Sequence, residues 1–112
     1  MTNPSERIAS LRASFDSGKT RPEEWRRSQL KRLQAMIEEN EEAFNEALHA
    51  DLGKSGFEAR MTETGTVLAE IGHTLSHLKA WMRPDKVSTP LSNQPGHSQV
   101  VHEPLGVVLI IA

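Results

Sequence analysis

The chain has 112 residues, 37% of them hydrophobic and 25% charged, with a formal net charge of -2 and no cysteine. That composition has room for one domain at most and excludes a disordered chain, a membrane-embedded core, disulfides, thiolate metal sites and cysteine nucleophiles. Nucleic acid is excluded as a partner too, because the basic cluster Arg26, Arg27, Lys31 and Arg32 runs into Glu38, Glu39, Glu41, Glu42 and Glu46, a mixture of signs that suits solvated helix faces.

The N-terminus, MTNPSERIASLRASF, lacks the basic start and apolar core of a secretory signal. No stretch reaches the roughly 18 apolar residues of a membrane span, so the segment is expected to make no membrane contact and the cytoplasm is the expected compartment. Asn3 before Pro4 predicts a helix start, since proline at the first helical position sacrifices only an N–H that has no helical acceptor. Ile8, Leu11 and Phe15 share one face, and Gly18 ends the helix. Pro22, Glu23 and Glu24 open a second helix whose acidic first turn suits the helix dipole, with Leu30, Leu33 and Ile37 as its buried stripe. Asn40 is expected to close that helix in the left-handed conformation and to cap the next by accepting hydrogen bonds. Phe44, Ala47 and Leu48 carry the apolar face on to about Ala50.

After Asp51–Leu52–Gly53, Ser55 and Glu58 stand three apart as a capping box. Phe57, Met61, Thr64, Leu68, Ile71, Leu75, Leu78 and Met82 then alternate spacings of four and three, a near-heptad seam on a helix roughly 40 Å long. Gly65 and Gly72 weaken that helix, so either is a place for a break or kink, and Pro84 marks its stop. Pro90, Pro95 and nearby serines make the next stretch an irregular connector. Ser98 to His102 alternates weakly and is expected to be a strand, and Pro104 and Gly106 interrupt pairing before a terminal apolar strand.

That last run, Val107, Val108, Leu109, Ile110 and Ile111, has no polar residue between its members, so both of its faces expect cover, as in a parallel sheet flanked by helices. Burying the five is worth about 8 to 15 kcal/mol together, comparable to the net stability of a whole domain. The sequence upstream reads as helix and supplies no parallel neighbour, so the partner strands are expected beyond Ala112 and the chain is expected to be the front end of a larger protein. The expected organisation is a helical region over 1–84, a connector over 85–97 and a strand pair over 98–112. The order, helices first and strands last, gives the fold class as α/β, with a helical lead-in to the sheet.

Several motifs have plainer explanations than chemistry. Gly53–Lys54–Ser55 resembles the tail of a phosphate-binding loop, but Leu48 stands where that motif needs glycine and a helix precedes it where a strand should; a helix stop followed by a helix cap accounts for all three residues. His73 and His77 share a helix face as zinc ligands do, yet Thr74 stands where a zinc protease has glutamate, and no third ligand is evident. His102 beside Glu103 suggests a local pair without a nucleophile. The seam from Phe57 to Met82 offers either a coiled coil with another chain or packing against the chain's own helices, which short connections favour. Trp25 and Trp81 fit the edges of such a bundle, and a self-contained helical interaction module is the alternative reading of the whole.

Four stretches together carry a resemblance: "RPEEWRRSQLKRL" at Arg21 to Leu33, "DLGKS" at Asp51 to Ser55, "LKAWMRP" at Leu78 to Pro84, and Glu-Pro-Leu-Gly running into Val107 to Ala112. In this order they resemble the N-terminal region of aldehyde dehydrogenases, nearest to the class 3 type and its bacterial coniferyl-aldehyde relatives. The resemblance implies a truncated aldehyde dehydrogenase-like fold, with the helical region leading into the first strands of a Rossmann-like dinucleotide-binding domain. It further implies an oxidoreductase that converts an aldehyde to a carboxylic acid with NAD or NADP, and a homodimer when full-length, with the strand at Ser98 to His102 belonging to an oligomerisation hairpin. In that family a cysteine thiolate attacks the aldehyde, hydride passes to the nicotinamide, and a glutamate activates the water that hydrolyses the resulting thioester, while an asparagine and a backbone N–H hold the oxyanion. None of those catalytic positions matches a residue of this chain. Only Ile111 and Ala112, at the carboxyl end of the terminal strand, match positions that line the cofactor cleft. Glu103 precedes the strand, which gives it a turn or hairpin role.

Overall fold

The computed structural model describes residues 3–111. Its contacts divide the chain into two compact units, one comprising Glu23–Leu78 and the other joining the stretch up to Pro22 with the stretch from Lys79 onward.

Three helices of the first unit follow from their end residues. Helix α2 spans Glu23–Glu39 and opens on two glutamates, the charge that its N-terminal dipole favours. Helix α3, Glu41–Leu52, ends at Gly53 in the left-handed conformation (φ 68°), and the Gly53 N–H donates to the His49 carbonyl at 2.8 Å. Asn40, between them, departs from expectation. Its φ of -116° is not left-handed and its side chain caps no N–H of α3. Instead its amide donates to the Met36 carbonyl at 2.7 Å, so it serves the unpaired carbonyls at the end of α2 rather than the unpaired donors of α3. Ser55 does cap α4 (Gly56–Ala59), its Oγ accepting from the Glu58 N–H at 3.2 Å.

The long helix is not continuous α. Residues Arg60–Thr64 form a π-turn between α4 and α5, the latter spanning Gly65–Trp81. The break falls beside Gly65, one of the two glycines expected to permit it. At this position the Gly65 N–H donates to the Arg60 carbonyl, five residues back. A Cβ on Gly65 would stand 2.2 Å from that carbonyl oxygen, so a π-turn here requires glycine.

The extra residue in the π-turn changes which face is buried. Ala59 and Thr64 are five apart and both buried, at 0% and 7% exposure. In an unbroken α-helix, at about 100° per residue, they would point roughly 140° apart. Phe57 and Met61, which the near-heptad seam places inside, are 79% and 62% exposed. Downstream, Ile71 and Leu78 hold the seam and are buried, and Ile37 of α2 completes the core of the unit. Arg27 of α2 ties α5 in by donating through Nη1 to the Leu75 carbonyl at 2.7 Å, while its Nε pairs with Glu23 at 2.6 Å. The intramolecular bundle, rather than an open seam, is thus what α5 serves.

The second unit begins with α1, Pro4–Asp16, capped by Asn3, whose side chain accepts from the Ser5 N–H at 3.1 Å. It contains a two-stranded antiparallel sheet in which β1 (Asp85–Val87) pairs with β2 (Ser98–Val100), Asp85 opposite Val100 and Val87 opposite Ser98. Strand β1 lies in the stretch read as an irregular connector. Its lack of a clear pattern over three residues hid it, and the partner at 98–100 supplies the pairing. Thr89 donates to the Ser98 hydroxyl at 3.0 Å at the loop end of this hairpin, and a single 3-10 turn, Leu91–Asn93, fills the loop.

Residues 107–111 are not a strand. A strand is defined by a hydrogen-bonded neighbour, and β1 and β2 are the two strands among the described residues; the terminal strand is expected to pair with strands outside this chain, so the described residues do not test it. Ala112 lies outside the described residues.

Candidate functional site

Two side-chain pairs in the second unit fix the approach to the apolar terminal run. The Arg21 guanidinium donates to the Glu103 carboxylate, and His102 Nε2 lies 3.1 Å from an Asp85 carboxylate oxygen. The local pairing of His102 with Glu103 suggested by adjacency is therefore replaced by two longer-range partners. The hairpin register explains it: Asp85 stands opposite Val100, within reach of a side chain two residues on. Both pairs are well exposed, so they orient the chain more than they stabilise it. Ala80, Trp81, Arg83, Asp85 and His102 line a shallow cleft on this unit.

Gly106 follows with φ 103°, and a Cβ there would lie 3.8 Å from the Phe15 ring. Glycine is needed for the positive φ; the Phe15 ring itself would leave room for a Cβ at ordinary contact distance. Beyond it the apolar side chains point into solvent, Val108 through Ile111 all exposed and Ile111 at 88%. Of the two positions expected to line a cofactor cleft, Ile111 thus carries an uncovered aliphatic side chain, while Ala112 is outside the described residues. An aliphatic side chain suits the wall beside a cofactor ring and offers no donor to its phosphates. Fit to NAD or NADP in this segment is limited to such apolar contact.

The other motifs resolve as local structure. In Gly53–Lys54–Ser55 the glycine closes α3 and the serine caps α4. The Lys54 ammonium is engaged with Glu63 and with Thr62 Oγ1, which leaves the phosphate-loop resemblance without its cation. His73 and His77 stack with ring centroids 4.1 Å apart, and His77 Nδ1 is 2.8 Å from both the His73 carbonyl and Ser76 Oγ. Among the described residues no group of three or more histidines, cysteines or acids is placed to hold a metal ion. Nor is any described helix long and apolar enough to cross a membrane.

The model of the aldehyde dehydrogenase family matches residues 5–112. The chain belongs to the aldehyde dehydrogenase family. Its class 3 character is supported by relatives: it is 44% identical over 102 residues to aldehyde dehydrogenase family 3 comG of Dictyostelium discoideum, covering 91% of this chain and 22% of that protein. It is 43% identical over 110 residues to aldehyde dehydrogenase family 3 member B2 of Mus musculus, covering 97% of this chain and 23% of that one. Among solved structures it matches the substrate-bound state of Staphylococcus aureus AldH with a TM-score of 0.87 and 35% identity, over 93% of this chain and 23% of the other. The aldehyde dehydrogenase fold class is thereby borne out, and the reading as an N-terminal segment of the family is favoured over a self-contained helical module. The chain spans about a fifth of the length of these relatives.

Proposed function

We propose that this chain contributes the N-terminal segment of an NAD(P)-dependent aldehyde dehydrogenase that oxidises an aldehyde to a carboxylic acid. The observation that carries the proposal is family membership across residues 5–112. The segment's part is architectural. Its helices form a base, the β1–β2 hairpin contributes to a homodimer contact, and the apolar run from Val107 leads Ile111 and Ala112 to the wall of the cofactor cleft. The nucleophile comes from elsewhere in the protein, since this chain contains no cysteine, and the general base and the phosphate-binding turn come from there with it. When bound, the nicotinamide would supply the hydride acceptor. The cytoplasm is the proposed compartment, although one relative, aldehyde dehydrogenase family 3 member I1 of Arabidopsis thaliana, is chloroplastic.

The test is an assay of the protein as its gene encodes it, offering NAD or NADP with aliphatic and aromatic aldehydes. Nicotinamide reduction in step with carboxylic acid formation, abolished by a thiol alkylating agent, is the expected result. Failure to reduce either cofactor with any aldehyde would overturn the proposal. The 112-residue chain assayed alone is expected to be inactive.

A further inference from the structure

Residues 60–64 turn the helix in a way that the apolar spacing does not ask for, and side chains outside the helix hold them there. Lys54, just past the end of α3, donates from Nζ to the Glu63 carboxylate and to Thr62 Oγ1, the latter at 3.1 Å. Arg60 donates to Glu41, in the first turn of α3. The Glu41 carboxylate, by its hydrogen bond first and its charge second, raises the Arg60 pKa above its ordinary value, so the guanidinium stays charged. Within the helix, Thr66 Oγ1 donates to the Met61 carbonyl at 3.3 Å and Thr62 Oγ1 to the Glu58 carbonyl at 2.9 Å. The π-turn is therefore tied to both ends of α3 and satisfied from within. Yet it leaves the Thr64 hydroxyl buried without a hydrogen-bond partner, a cost that α-register packing of the same residues need not carry.

We infer that Lys54 and Glu41 form a two-point clamp that holds residues 60–64 in the π register, and that this register selects the face α5 buries in its unit. Both residues are positioning residues, acting through Glu63, Thr62 and Arg60. The inference is independent of the proposed activity, because every contact in it lies within residues 41–71.

Deletion of Met61 provides the decisive comparison. Removing this exposed residue brings Ala59 and Thr64 to four apart, which places both on one face of an ordinary α-helix. In the parent protein, Gly65→Ala sets a Cβ against the Arg60 carbonyl and is expected to lower the melting temperature. In the deletion background the same substitution is expected to raise it, because alanine is the better helix former once the π-turn is gone. Equal damage in both backgrounds, or none in the parent, would overturn the inference. If the deletion does not fold, hydrogen exchange over residues 60–66 decides between Lys54→Met and Lys54→Arg in the protein as its gene encodes it. Exchange about tenfold faster in Lys54→Met, with Lys54→Arg near the parent rate, is expected for loss of a charge-assisted bond. Equal rates in the two variants would overturn it.

Discussion

Two glycines on one helix make opposite predictions. Gly65 is imposed by the Arg60 carbonyl beneath it, whereas a Cβ on Gly72 meets nothing within 4 Å. Gly72 lies in the interior of α5 on its exposed side, so it carries the entropy cost of glycine without a compensating contact. Gly72→Ala is expected to stabilise the protein by about 0.5 to 1 kcal/mol, read as a higher urea midpoint at unchanged slope. A midpoint that falls would show that the space beside residue 72 is filled by something outside the described contacts. The sequence flagged both glycines as weak points of one helix, because propensity depends on residue type alone. Which one is required became visible only when the position of a carbonyl five residues away was known.

At the level of elements, the caps were legible and the registers less so. Asn3, Ser55 and Gly53 act where the sequence places them, since a cap is a local bond between a short polar side chain, or a left-handed glycine, and a backbone group two to four residues away. Ser55→Ala should accordingly cost about 1 kcal/mol, and the loss should show as faster hydrogen exchange at the Glu58 amide that Ser55 now holds. An unchanged Glu58 amide would mean that the four residues of α4 are held by the π-turn after them rather than by their own cap. The seam failed at its first two positions, Phe57 and Met61, for a reason of the same scale. A spacing of four and three assumes 3.6 residues per turn throughout, and one added residue rotated Phe57 and Met61 outward while Ala59 went in. Strand β1 was missed because three exposed residues have no periodicity of burial to read, and its identity rests on a partner more than ten residues away. The candidate site was legible only in outline. The apolar run at 107–111 is plain in sequence, but its pairing depends on strands that the described residues do not include.

For the molecule as a whole, the consequence of that run is association. Leu105 and Val108 through Ile111 are large, apolar and mostly exposed, and they lie within one uncharged stretch beyond the last proline at Pro104. Such a segment with open backbone donors and acceptors is a template for intermolecular β-pairing, and a patch of this kind is larger than isolated domains usually leave uncovered. The 112-residue chain alone is expected to sediment as aggregates. Leu109→Lys combined with Ile111→Lys is expected to return it toward monomer, because two like charges on one face of the run oppose stacking in register. Helical circular dichroism should be unchanged, since no described helix draws its caps or buried residues from residues 107–111. A clean monomer from the unsubstituted chain would mean that its own helices shelter those side chains in solution. A lysine variant that still aggregates would move the sticky surface to the exposed Phe57 and Met61 of the other unit, where the π-turn has turned them outward.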